Sequence, residues 1–176
     1  STIQAFIGSR QINCRLILSN LKEINDHTSH YVHLRSDKKI SCKVNDPIIL
    51  RSSGETIAGG EILNTGSSLK LFKSSIYKEY LNAFSENDIQ NAAGKLISIN
   101  KVITLDKLKT QLNQNIEEIK NNLLNLQKRK TIIIIKNNAN KDIQLIDVKW
   151  WLKKSKEMIK ILQNFHNNFP LRDGIN

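Results

Sequence analysis

Three histidines spaced by three, His27, His30 and His33, with Asp26 beside them, are the densest group of metal-capable side chains in the sequence. A closed zinc site wants four ligands at defined spacing. These three straddle a polar loop and the start of an apolar run, where alternate residues face opposite sides, so the imidazoles need not converge. Solvated histidines, and no metal, are the expectation. Gly94-Lys95-Leu96 lacks both the earlier glycine and the following hydroxyl of a phosphate-binding loop, G-x-x-x-x-G-K-[ST], so the chain is not expected to hydrolyse GTP. No Ser/His/Asp or Cys/His arrangement stands out. Glu117-Glu118, at the head of a helical pattern, complements the positive end of a helix dipole. No catalytic residue, and no enzymatic role for this chain, is expected.

Charge says more than any nucleophile. The 176 residues carry a net +11, and the excess is uneven: residues 1–64 hold eight Lys/Arg against six Asp/Glu, residues 65–176 hold nineteen against ten. That balance favours polyanionic partners, RNA foremost, because phosphate neutralisation supplies most non-specific affinity. The two cysteines, Cys14 and Cys42, sit in apolar runs as small hydrophobes, so a disulfide framework is not expected. The longest apolar run, residues 132–135, is far shorter than the roughly 20 residues a membrane helix needs. No basic amino-terminal region leads into an apolar one. A cytoplasmic protein with no membrane partner is the expectation.

The elements that must position these charges fall into two groups. Short β-rich runs at residues 3–7, 14–18, 31–34, 40–44, 48–51 and 56–63, separated by polar turns, predict a small antiparallel barrel or sandwich. Residues 64–68 have turn and N-cap composition and mark a boundary. Beyond it Leu69, Phe72, Ile76 and Tyr80 recur at helical spacing, predicting a helix from Ser67 or Ser68 to about Phe84, and a second follows from Asp88 to about Ile97. Thr104 caps a short helix over 105–112. Asn115 caps a longer one, on which Ile116, Ile119, Leu123 and Leu126 align, running to the basic cluster Lys128-Arg129-Lys130. Strands at 131–136 and 143–146 flank the turn 137–142. Helix, turn, helix, strand, turn, strand is the order of a winged helix. A last helix from about Asp147 carries Trp151, Met158, Leu162 and Phe165 on one face and Lys149, Lys153, Lys156 and Lys160 on others, and ends before Pro170. Packing is expected for Trp151, with Trp150 left open. The fold class is therefore α+β, a small antiparallel β-barrel followed by a mostly helical winged-helix domain.

One stretch carries more identity than the rest. An apolar run ends in Arg51, Ser52-Ser53-Gly54 turns the chain, and a second run carries the adjacent Gly59-Gly60, which suit a hairpin that bends sharply or is closely approached. This resembles the last barrel hairpin of translation elongation factors, and residues 3–18 look like the opening strand and turn of the same barrel, the third domain of the elongation factor Tu superfamily. Residues 87 onward and the tail Phe169-Pro170-Leu171-Arg172-Asp173-Gly174-Ile175 are similar to the linker and second winged helix of its bacterial selenocysteine-specific branch. The resemblance covers nearly the whole chain.

It implies a barrel at 1–64, linker helices and a winged helix at 65–165, and the start of a second winged helix at 166–176, all cut from a longer protein. GTP and Mg would belong to a nucleotide domain before the barrel, with no cofactor in this part. The implied partners are selenocysteinyl-tRNA, the ribosome and a messenger hairpin that recodes UGA, and the chain would be a monomer. Its tRNA contacts would fall at Lys38 and at the turn Arg51, Ser53, Gly54. Here the turn departs from the elongation factor Tu pattern, with Ser53 where a glycine is usual and Glu55 where an arginine is. A different class remains open, a winged-helix DNA-binding transcription regulator with a β sensor domain. Against it, Glu117 and Glu118 stand at the end of the recognition helix that would face DNA.

Overall fold

A computed structural model describes residues 2–18, 28–136 and 142–170. Five strands, β1 (Thr2–Ile7), β2 (Arg10–Leu18), β3 (Val32–Arg35), β4 (Pro47–Ser52) and β5 (Glu55–Glu61), pair antiparallel in the order β3-β2-β1-β4-β5. The sheet curls into a half-barrel. Period-two alternation decides its inside: Ile3, Ala5 and Ile7 of β1 are buried with Cys14, Ile48 and Leu50, while Thr2, Gln4 and Phe6 point outward. Burial pushes the Cys14 thiol above its usual range, as befits a core residue.

The strand expected at residues 40–44 does not form. β3 and β4 are separated by β2 and β1, so their connection must cross the sheet, on the order of 14 Å at about 4.8 Å per strand. A segment running across strands cannot ladder with any of them. It still follows the expected alternation, since Ile40 and Cys42 pack on the sheet core and Val44 is buried. Arg10 Nη1 ties it down by donating to the Ser41 carbonyl (3.0 Å). The half-barrel is thus covered by side chains at its mouth, with β3 and β5 left as edges, and is not closed by hydrogen bonds between them.

The helical half starts with a break. The single helix expected to Phe84 is two, α1 (Leu69–Phe72) and α2 (Ser75–Ser85), because Ser74 turns its hydroxyl onto the Leu71 carbonyl (2.7 Å) and competes with the ladder. Asp88 caps α3 (Ile89–Asn100), which runs three residues beyond the expected end and stops at Lys101 with φ of +69°. A strand that the pattern did not predict follows, β6 (Val102–Thr104). Thr104 and Asn115 cap α4 (Leu105–Leu112) and α5 (Ile116–Lys128) as expected, Asn115 Oδ1 accepting from the backbone N–H groups of Glu117 and Glu118. Ile119, Leu123 and Leu126 are buried, whereas Ile116, expected beside them, is exposed in the first turn.

Strands β7 (Ile132–Lys136) and β8 (Ile143–Asp147) pair antiparallel, and β6 adds on the far side of β8, giving the order β6-β8-β7. The turn expected at 137–142 lies mostly outside the described residues. This sheet and helices α1 to α5 share one core around Tyr80, Leu96, Ile97, Leu108, Leu112, Ile119 and Leu145. The two halves touch where Tyr31 Oη meets Ser85 Oγ (2.8 Å) and the His33 ring tilts onto Phe72 (5.5 Å between centroids). Finally α6 (Val148–Asn168) runs 21 residues without one buried side chain. Trp151, expected to pack, is 41% exposed, and Trp150 is the half-buried one. The helix meets the body mainly through β8, so beyond its first turn nothing described covers its apolar face.

Candidate nucleic-acid interface

The outward face of the first sheet carries three of the eight Lys/Arg residues of positions 1–64. Register places Arg51 level with Gln4, and Gln4 level with Asn13. Thr2 pairs with Arg15, and Arg15 with Arg35. Cross-strand partners point to the same side of a sheet, and residues two apart do as well. Arg15, Arg35 and Arg51 therefore share the outer face with Thr2, Gln4, Phe6 and Asn13, a polar surface carrying three guanidinium groups. Arg15 and Arg35 stand directly opposite each other, a pairing that destabilises a sheet unless an anion compensates it. Both are exposed, and neither makes an ion pair within the described residues. Burial first, then the Arg35 charge, hold His33 below the usual histidine range.

Arg51 is aimed by an irregularity. The β4–β5 register slips between Leu50 and Arg51, pairing Leu50 with Ala58 but Arg51 with Thr56, and such a bulge redirects the side chain beside it. The guanidinium lies over the Phe6 ring (5.6 Å to its centroid), and Nη2 donates to the Gly54 carbonyl. Arg51 so staples the turn it precedes. Ser53 and Gly54 are the two central residues, with φ of +50° and +85°, the signature of a type I′ hairpin turn.

Of the four residues singled out from the sequence, Arg51, Ser53 and Gly54 come together here. Lys38 lies elsewhere, exposed in the connection after β3, three strands from β4, its backbone N–H on Ser36 Oγ (3.2 Å). Arg15 and Arg35 stand opposite each other on β2 and β3, on the same face as Arg51 and separated from it by β1. Sequence reasoning missed these two arginines. The signal was available in parity, since Arg15 follows the buried Cys14 and must face outward. Gly59 and Gly60, expected to serve a sharp bend or a close approach, have ordinary φ values, and a Cβ on either would meet Ile48 no closer than 3.9 Å. The turn and the bulge do the bending, and the glycines leave β5, exposed along its whole length, bare.

The described residues bring together no metal centre. His30 is exposed and pairs with Thr28 Oγ1 (2.8 Å), His33 faces Phe72, and His27 lies outside the described residues. Among the described residues no three His, Cys, Asp or Glu side chains are grouped to hold an ion, and no helix is long and apolar enough to cross a membrane. Comparison with family models, with curated proteins and with solved structures gave no match.

Proposed function

We propose that this chain is a non-catalytic part of a selenocysteine-specific elongation factor, in which the half-barrel forms one wall of the aminoacyl-tRNA cradle and the helical half is the arm toward the messenger-binding end. The observation that carries the reading is the outer sheet face, where Arg15 opposes Arg35 and where Arg51, across β1, also has no acidic partner among the described residues. A surface that keeps like charges opposed is costly to the fold and suited to phosphate. The hairpin resemblance at 51–60 supplies the identity, and α3, β6, α4, α5, β7 and β8, with strand order β6-β8-β7, follow the order of a winged helix. In this reading the chain contributes electrostatic steering and fixed geometry, and GTP chemistry belongs to a preceding domain.

Binding of aminoacyl-tRNA and of duplex DNA, measured side by side against salt, tests it. The protein is expected to bind tRNA without duplex sequence preference, and Arg15→Gln with Arg35→Gln to flatten the log K against log salt slope by about 1.8, at roughly 0.9 per lost phosphate contact. Sequence-specific duplex binding that is lost on changing Gln114 or Asn115 would instead establish a transcription regulator.

A further inference from the structure

Helix α6 carries a feature that the barrel reading leaves unused. At 100° per residue, Lys149, Lys153, Lys156 and Lys160 fall within a stripe about 60° wide, and at 1.5 Å per residue the stripe is about 16 Å long. All four are exposed. The helix holds a single acidic residue, Glu157, and that carboxylate is taken by Lys154, outside the stripe (2.6 Å). Lys149 and Lys153, like Lys156 and Lys160, are like charges four apart, each pair costing a few tenths of a kcal/mol. At the root of the helix the Val148 N–H donates to the Thr131 carbonyl (3.1 Å), which brings the cluster Lys128-Arg129-Lys130 beside its first turn.

We propose that this stripe is a rail for the phosphodiester backbone of a double-helical nucleic acid. Charge complementarity selects the occupant. A lipid surface would take the apolar face of Leu152, Met158, Ile159 and Leu162, whose centre lies about 125° from the lysines, and it is the competing occupant that the vesicle arm of the test separates. A protein partner would be expected to seat aromatic anchors, and a single strand to stack on aromatic rings. The stripe contains neither, since Trp150 and Trp151 project to other sides of the helix. A regular row of cations with nothing between them matches a regular row of phosphates.

The 176-residue chain, titrated against one RNA duplex and one DNA duplex of the same sequence across about 50–200 mM salt, tests the rail. Replacing all four lysines by glutamine keeps helix propensity and relieves the repulsions. It is expected to weaken duplex binding at least tenfold at about 100 mM salt and to flatten the salt slope by about 3–4. The pairs Lys149→Gln/Lys153→Gln and Lys156→Gln/Lys160→Gln should each remove about half of that change, and Lys154→Gln should leave the slope unchanged. Binding to either duplex supports the rail, and comparing the two tells which backbone it prefers. A fourfold variant with the parent slope, a Lys154→Gln effect of equal size, no duplex binding at about 50 mM salt, or binding that anionic vesicles abolish would each overturn it. Because the Arg15/Arg35 variant reads the sheet face separately, failure of one surface is distinguishable from failure of the other.

Discussion

Ser53 holds φ at +50°, a region where a side chain costs roughly 1–2 kcal/mol relative to ordinary backbone and where asparagine and glycine are at home. The flanking register, Ser52 with Glu55, leaves the turn two residues and no other conformation that matches the twist of the strands. Ser53→Asn, which makes the favoured Asn-Gly pair, is therefore expected to stabilise the protein by about 0.5–1 kcal/mol, read as a higher denaturant midpoint at unchanged m. Arg51 itself divides its guanidinium between the Phe6 ring and the Gly54 carbonyl, which makes it a structural part of the hairpin.

Among the elements, α6 hangs on one residue. Asp147 is the one charged side chain buried among the described residues, and it uses both oxygens: Oδ1 accepts from the Trp150 N–H (2.7 Å) and Oδ2 from the Ser98 hydroxyl (2.6 Å). Its own N–H donates to the Lys101 carbonyl (2.9 Å). Helix α6, strand β8 and the end of α3 are thereby locked at a single carboxylate. Asp147→Ala is expected to cost about 2–3 kcal/mol, the sum of a lost cap and an unmet half-buried hydroxyl, and Asp147→Asn roughly 1 kcal/mol, measured by chemical denaturation. Loss of far-UV helical signal before the main transition would accompany the alanine change as α6 frays. The caps Thr104 and Asn115, and the start of α6 near Asp147, were legible in the sequence because capping is local chemistry. The break at Ser74 was not, because a mid-helix serine is tolerated or disruptive depending on what its neighbours bury.

For the molecule as a whole, two hydrophobic clusters matter, one inside the half-barrel and one shared by α1 to α5 with β6 to β8. Between them lie Tyr31, Leu63 and the His33–Phe72 contact, a small bridge compared with either core. Leu108→Ala, at a fully buried position, is expected to lower the stability of the helical half by about 2–5 kcal/mol while Cys14 in the sheet core keeps its protection from a thiol reagent, followed by mass spectrometry. Cys14 becoming reactive in step with helix loss would show instead that the halves unfold as one. Two positive surfaces, the outer sheet face and the α6 stripe, are carried by these separate halves, so their spacing depends on the same bridge.

Element types and most of their caps were decided by the sequence alone, because period-two and helical spacing, Asn, Thr and Asp caps, and Pro170 all act within a few residues. The excess of charge was equally legible. Only the tertiary structure decided that residues 40–44 cross the sheet without pairing, that Arg15 and Arg35 face each other, and that Trp150 rather than Trp151 finds partial cover. Each of these depends on which distant strand or helix lies alongside, and a chain read one neighbourhood at a time carries no direct record of strand order.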